Sequence, residues 1–340
     1  MKNYNINNFK NKKILFGVKE AGAGSLLAEL IKNIKPNKQS LVLSSSIASI
    51  YFEEIDIEVK IIDKEISNKK IGDTIDLLSP DYVLVGASAY KSIEKQLITE
   101  SKVRNYKVVS FIDHYWNLWQ RYANEKNAEP WAYKPDFIFV IDEICKIKLC
   151  ELGWPKDKIG INPYSLKNKT NFEKIISSKK INKKLNIEDN SIKILFVSEY
   201  NFPQCEIWKW EQSSNEEIDF LLKSILDFID SFNRINQNQF QLIIKLHPSE
   251  DNRLSKTYKN YSENNYCVVK NQLEKVELFT ISDLVVGLNS MLLLEASSFG
   301  LSVYSYSGSL QKSAIRLNEI DKRINSINNF SCFENKLNKF

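Results

Sequence analysis

The side chains that could carry acid–base or phosphate chemistry stand in four short segments. The first, Lys19 to Ser25 (KEAGAGS), places Glu20 among the small residues Gly22, Gly24 and Ser25, between an apolar run and an amphipathic one. Small residues let backbone N–H groups approach a ligand, and a helix start carries about half a positive elementary charge. Gly22, Gly24 and Ser25 therefore read as a ligand-facing loop, with Glu20 as a general base. A plain tight turn is the alternative. The second segment, Phe111 to Tyr122 (FIDHYWNLWQRY), sets Asp113 beside His114, a possible proton-transfer pair, and adds Trp116 and Arg121, which suit sugar faces and phosphates. The same residues would also fit an aromatic helix capped by Asp113.

The third segment is Lys245 to Asp251 (KLHPSED). Pro248 fixes φ and lacks a donor, so the chain must leave its strand there, with His247 at the strand end. Lys245 and Ser249 stand near enough in sequence to help neutralise a phosphate. The fourth, Ser282 to Gly300, reads as a buried strand, a turn over Gly287 to Asn289 and a helix opening at Ser290. Asn289, the Ser290 hydroxyl and the free N–H groups of the helix start could receive phosphate, and Glu295 could reach ribose hydroxyls. The chain has only two histidines, His114 and His247, so imidazole chemistry has two possible places.

Elements able to position these segments are visible as apolar runs alternating with amphipathic stretches, the signature of parallel sheets covered by helices. Strands are expected at 13–18, 41–45, 59–63, 82–87, 107–112 and 137–142, with a helix over Ser25 to Ile34. A stretch with seven lysines between Lys167 and Lys184 and one acid, Glu173, interrupts the pattern. It reads as a basic linker over 166–190 or as a solvated helix face. At Ile192 the pattern restarts, and IKILFVSE echoes the earlier KKILFGVKE. A helical face over 216–232 carries Ile218, Leu221, Leu222, Ile225, Phe228, Ile229 and Phe232. Strands follow at 241–247, 267–270, 283–288 and 302–306, with helices over 272–281 and 290–299. Residues 309–340 read as a helix and a polar tail. The expected organisation is a Rossmann-like domain over 1–165, the linker, and a second Rossmann-like domain over 191–340.

Composition narrows the class. The 340 residues are 43% hydrophobic and 26% charged, enough for more than one core. A formal charge of +5 is too weak to indicate nucleic acid. No apolar run approaches the ~18 residues of a spanning helix. The polar start MKNYNINNFKNKK lacks a signal-peptide core, so a mature chain beginning here in the cytoplasm is expected. Five cysteines without a CxxC pair suit reduced thiols, and no metal site or cofactor is expected. The lysine run leaves peripheral contact with an anionic membrane open. Neither GxxxxGK[ST] nor GxGxxG occurs near Gly22, which removes the P-loop and disfavours a dinucleotide enzyme.

Taken in order, His247-Pro248 after a strand, Asn289-Ser290, Glu295-Ala296 and Gly300 resemble the nucleotide-binding domain of GT-B glycosyltransferases. The likeness is to the branch with a His-Pro motif and a downstream Ser/Thr motif, which includes sialyl-, polysialyl-, Kdo- and CDP-glycerol polymer transferases. The resemblance implies α/β architecture with two Rossmann-like domains facing each other across a cleft. It also implies a CMP-, CDP- or UDP-linked donor held by His247, Pro248, Lys245, Asn289, Ser290 and Glu295, and metal-independent transfer to a surface glycan or glycolipid acceptor. The base stays open among Asp113, Glu20 and His114. Gly300-Leu301-Ser302 departs from the Gly-x-Pro of many relatives. Two alternatives share the fold: a nucleotide-sugar 2-epimerase, and a non-catalytic nucleotide-binding subunit.

Overall fold

Short runs of Val, Ile, Leu and Phe, buried on both faces, build two parallel sheets. The computed structural model describes residues 4–63, 66–89, 91–124, 126–164, 177–199, 215–236, 239–248, 250, 254–270, 272–308 and 315–338. Described residues up to 164 belong to one compact unit and those from 177 onward to another.

In the first unit, strands β1 (Ile14–Val18), β2 (Leu41–Ser44), β3 (Glu58–Ile61), β4 (Tyr82–Val85), β5 (Val108–Phe111), β6 (Phe137–Val140) and β7 (Ile159–Ile161) form a seven-stranded sheet of order β3-β2-β1-β4-β5-β6-β7. Helices α1 (Ala21–Ile34), α2 (Ser46–Ser49), α3 (Asn68–Leu78), α4 (Ile93–Val103) and α5 (Glu143–Glu151) connect them. Every residue of β1 is buried, whereas β3 lies at the sheet edge and is largely exposed. The chain order reverses between β1 and β4, and in such sheets ligands bind beyond the carboxyl ends of the strands at that point.

The second unit repeats the plan. Strands β8 (Ile192–Val197), β9 (Phe240–Lys245), β10 (Tyr266–Val269), β11 (Leu284–Gly287), β12 (Ser302–Tyr306) and β13 (Asn325–Ile327) take the order β10-β9-β8-β11-β12-β13, reversing between β8 and β11. Its helices are α6 (Ser178–Leu185), α7 (Asn215–Asn236), α8 (Ser255–Tyr258), α9 (Lys275–Ile281), α10 (Met291–Phe299), α11 (Leu317–Ile320) and α12 (Phe330–Leu337). The apolar face expected on 216–232 is real: Ile218, Leu221, Leu222, Ile225 and Ile229 are fully buried in the core with Ile194, Phe196 and Ile244.

Two local expectations change, and in the lysine-rich stretch one of the two alternatives, the solvated helix face, is the one seen over 178–185. Helix α1 begins at Ala21, four residues before Ser25, so Gly22 and Gly24 are helical. Of the lysine-rich stretch, 178–185 is a helix with Ile181 and Asn182 buried, and Lys184 Nζ donates to the Gln272 carbonyl at 2.9 Å. Residues 315–338 are not a polar tail, because they supply β13 and α12, whose Phe333 and Leu337 are fully buried. Among the described residues no helix is long and apolar enough to cross a membrane.

Candidate functional site

Beyond the carboxyl ends of β1 and β5, two acids approach one arginine and a third acid lies close to the first. Glu20 lies two residues past β1 and caps α1 without a side-chain hydrogen bond. Arg121 Nη1 lies 3.7 Å from Glu20 Oε2 and 3.6 Å from Asp113 Oδ1. Its guanidinium also donates to the Ala87 carbonyl, and Nε to the Trp116 carbonyl at 3.4 Å. Glu94, on α4, is buried, and its Oε1 accepts from the Lys19 N–H at 2.9 Å and the Ser88 hydroxyl at 2.6 Å. Burial pushes the Glu20 carboxyl up to about 7; Arg121 opposes that rise, while Asp113 and Glu94 add to it. Asp113 is likewise raised by burial, against the pull of Arg121. Glu20 keeps 32% of its side chain exposed and so stays open to water or a substrate, whereas Asp113 keeps 8%.

In the second unit the carboxyl ends of β8, β9 and β11 carry a different chemistry. Glu199, two residues past β8, is 6% exposed. Its carboxyl accepts hydrogen bonds from the backbone N–H groups of Asn289, Ser290 and Leu288, yet burial still pushes it up to about 7. Ser290 caps α10, its hydroxyl accepting from the Leu292 N–H at 3.3 Å. Lys245 ends β9 and donates to the Leu246 and Lys270 carbonyls, at 2.9 and 2.6 Å. Burial, then Lys275 and Lys270, bring its pKa down to about 8. The half-buried His247 is lowered to about 4 by burial and by Lys245, so its imidazole is neutral at physiological pH. Glu295 is paired with Lys275, at 2.8 and 2.9 Å.

No protein-family model and no curated protein sequence matches the chain. Solved structures do. The Anabaena protein HepE, in complex with UDP and glucose, superposes with TM-score 0.64 at 13% identity, over 96% of this chain and 89% of that one. A UDP-GlcNAc 2-epimerase from Methanocaldococcus jannaschii gives 0.62 at 15% identity, over 96% and 91%. A glycosyltransferase from Rickettsia africae gives 0.60 at 14% identity, over 97% and 88%. The chain has a GT-B fold.

Within this GT-B chain the anticipated residues separate into groups. Glu20, Asp113 and Arg121 are brought together. His114 is half-buried beside them in sequence, its ring 4.4 Å from that of Trp116. Trp116 does not offer a face to a ligand, because it is fully buried in the core. Gly22, Gly24 and Ser25 form the first turns of α1 and not a loop. A Cβ on Gly22 would stand 2.2 Å from Asp113 Oδ2, and one on Gly24 would stand 2.9 Å from the Ala48 Cβ, so close approach explains both glycines. The backbone N–H groups of Asn289 and Ser290 are engaged by Glu199, and Asn289 itself is buried, at 1% exposed. Pro248 follows His247 outside β9, and Ser249 lies outside the described residues. Glu94 and Glu199 were not singled out from sequence. Glu199 had a signal, as the acid closing the KILFVSE echo of KILFGVKE; Glu94 had none.

Proposed function

We propose that this GT-B chain is a glycosyltransferase moving a sugar from a nucleotide donor to a hydroxyl acceptor. The observation that carries the reading is Glu20, an accessible carboxyl with a pKa near 7 at the end of the central strand, beside Arg121 and Asp113. A base poised near the working pH removes a proton most efficiently. In this reading Glu20 takes the acceptor proton, and the acceptor oxygen bonds to the anomeric carbon. The bond from that carbon to the phosphate oxygen breaks, and the nucleotide leaves with the electron pair. Arg121 holds the acid cluster in place. Lys245, the N–H of neutral His247 and the Ser290 hydroxyl meet the charge developing on the phosphate. The solved neighbours in complex with UDP or a UDP-sugar favour uridine among the pyrimidine donors. A surface glycan or glycolipid as acceptor follows from the sequence resemblance, as does the His-Pro branch.

One observation favours a second reading. Glu20 and Asp113 both carry raised pKa values and both approach Arg121 Nη1, and a pair of carboxyls could serve as acid and base at a sugar C2, as a 2-epimerase requires. A single experiment separates the two. Thermal unfolding with UDP, CMP, CDP, GDP and NAD identifies the nucleotide, and His247→Ala should lose that stabilisation. A ligand at ~100 times its dissociation constant adds about 2.7 kcal/mol. The matching nucleotide sugar is then incubated in D2O with and without a glycan acceptor. Transfer predicts nucleotide release that needs the acceptor and no deuterium in the recovered sugar. Deuterium at C2 without an acceptor would replace transfer by epimerisation, and stabilisation by NAD alone would sink both.

A further inference from the structure

We propose that the first unit carries a second binding site, for an anionic saccharide, at the end of its sheet opposite Glu20 and Asp113. A cavity of about 310 Å3 opens there, with Trp131, Trp154, Lys102, Lys134, Lys158 and Asp136 among its lining residues. That volume lies at the lower end of small-molecule pockets and suits one sugar ring. Asp136 precedes β6, and its Oδ2 accepts from the N–H of Val108, the first residue of β5, at 2.9 Å; Lys158 precedes β7. These are the amino ends of parallel strands whose carboxyl ends lead to the acid cluster, and four residues of β5 separate the two ends by about 13 Å.

The chemistry of the walls is unbalanced in a way that calls for a ligand. Lys134 and Lys158 both push down the pKa of Lys102, whose largest perturbation is burial, and Asp136 alone opposes them. Asp136 is already engaged by Val108 and by Lys107, 3.6 Å away. Among the described residues, Lys102, Lys134 and Lys158 form no ion pair within 4 Å. Asp157, beside Lys158, does not line the cavity. The aromatic wall is rigid: Tyr122 stacks on Trp131 at 5.9 Å and on Trp154 at 6.1 Å, and Trp131 Nε1 donates to the Leu152 carbonyl at 3.1 Å.

Two features set the tryptophans of this wall apart. Trp131 holds φ at +60°, a conformation that bulky residues rarely adopt and that is retained chiefly where a side chain must be aimed. Trp154, 6% exposed, keeps an indole N–H that meets no acceptor among the described residues. The partly exposed Trp131 can offer an indole face to the C–H face of a pyranose, and lysines without an ion partner take a carboxylate or phosphate.

Titration calorimetry on the full chain with glucuronate, glucose 6-phosphate, glucose and inorganic phosphate tests this. Glucuronate or glucose 6-phosphate should bind at least about tenfold tighter than either glucose or phosphate alone, and the tighter of the two identifies the anion. Raising salt from about 0.05 to about 0.3 M should weaken that binding. The double variant Lys134→Gln, Lys158→Gln changes exposed side chains only and should weaken it at least about tenfold, while Trp131→Leu should remove the preference for a sugar acid over phosphate. Charged sugars binding no tighter than glucose or phosphate would overturn the proposal. So would unchanged affinity in the lysine variant, which would place the sugar elsewhere.

Discussion

Glu199 offers a test that needs no substrate. Its carboxyl accepts from three backbone N–H groups of the turn into α10, yet burial holds its pKa near 7, against 4.5 for an ordinary glutamate. Between those values the folded protein keeps a proton that the unfolded chain has released. Stability therefore falls as pH rises through the window, with the favourable contribution complete below about pH 4.5 and lost above about pH 7. About 2.5 pH units at 1.36 kcal/mol each amounts to about 3 kcal/mol. Glu199→Gln removes the titration. Its absolute stability also changes, because an amide presents a donor where the turn presents donors. The informative quantity is thus the wild-type stability minus that of the variant, from urea unfolding at pH 4.5, 5.5, 6.5 and 7.5. Glu20 and Asp113 titrate in both proteins and cancel from this difference. The difference should fall by about 3 kcal/mol across the series and then flatten. A difference that is constant with pH would refute the reasoning, because it would mean that the three N–H groups outweigh burial and Glu199 ionises normally.

The acid cluster makes further predictions. If Glu20 is the base, it must be ionised to act, so kcat/KM should rise about tenfold from pH 6 to pH 8 with its midpoint near 7; a flat profile over that range would remove Glu20 from the role. Arg121→Met deletes the charge that lowers the Glu20 pKa, and the rising limb should move about one to three pH units higher; a limb that stays in place would show that the pair is not coupled. Gly22→Ala drives a methyl to 2.2 Å from Asp113 Oδ2 and should cost about 100-fold in turnover by misplacing that carboxyl. The helix gains about 1 kcal/mol of propensity from the same change, so denaturant unfolding should show little net loss, and full turnover would contradict the placement of Asp113.

Most strands between 13 and 142 and between 192 and 306 were legible because burial on both faces leaves an uninterrupted apolar run that few other elements produce, the exposed edge strand β3 being an exception to that burial. β7 and β13 are three residues each, too short for any pattern, and β7 is split by Gly160. The start of α1 was misread for a physical reason. Gly22 and Gly24 each cost the helix about 1 kcal/mol relative to alanine, and locally that argues for a loop. Contacts distant in sequence reverse it, since Asp113 and Ala48 occupy the space where side chains would stand. The segment around Trp116 was ambiguous in the same sense: residue types show that an indole can meet a sugar, but only the fold shows that this one is in the core. The partners of Glu94 are the hydroxyl of Ser88 and the N–H of Lys19, seventy-five positions away, and no local pattern could have marked it.

The echo between KILFGVKE and KILFVSE acquires a meaning once both sheets are seen. In each unit the first strand lies at the point where the strand order reverses, and a glutamate with a pKa near 7 follows it. Surroundings then divide the roles. Glu20 keeps 32% exposure beside Arg121 and can exchange its proton, whereas Glu199 is sealed onto the turn before α10 and fixes where Ser290 stands. If the second unit holds the donor as proposed, then because Glu199 takes the N–H groups of 288–290 its phosphate has to be met by side chains, and Lys245 is the cation among those anticipated. Its pKa near 8 then has a consequence. Nucleotide affinity should weaken as pH rises from about 7 to about 9 and the lysine loses its proton, although a bound phosphate will hold that proton to somewhat higher pH. In Lys245→Met the affinity should be weaker throughout and flat over the same range. If the variant keeps the wild-type pH dependence, the charge that binds phosphate lies on another residue, and Glu199 would have to yield the turn when the nucleotide arrives.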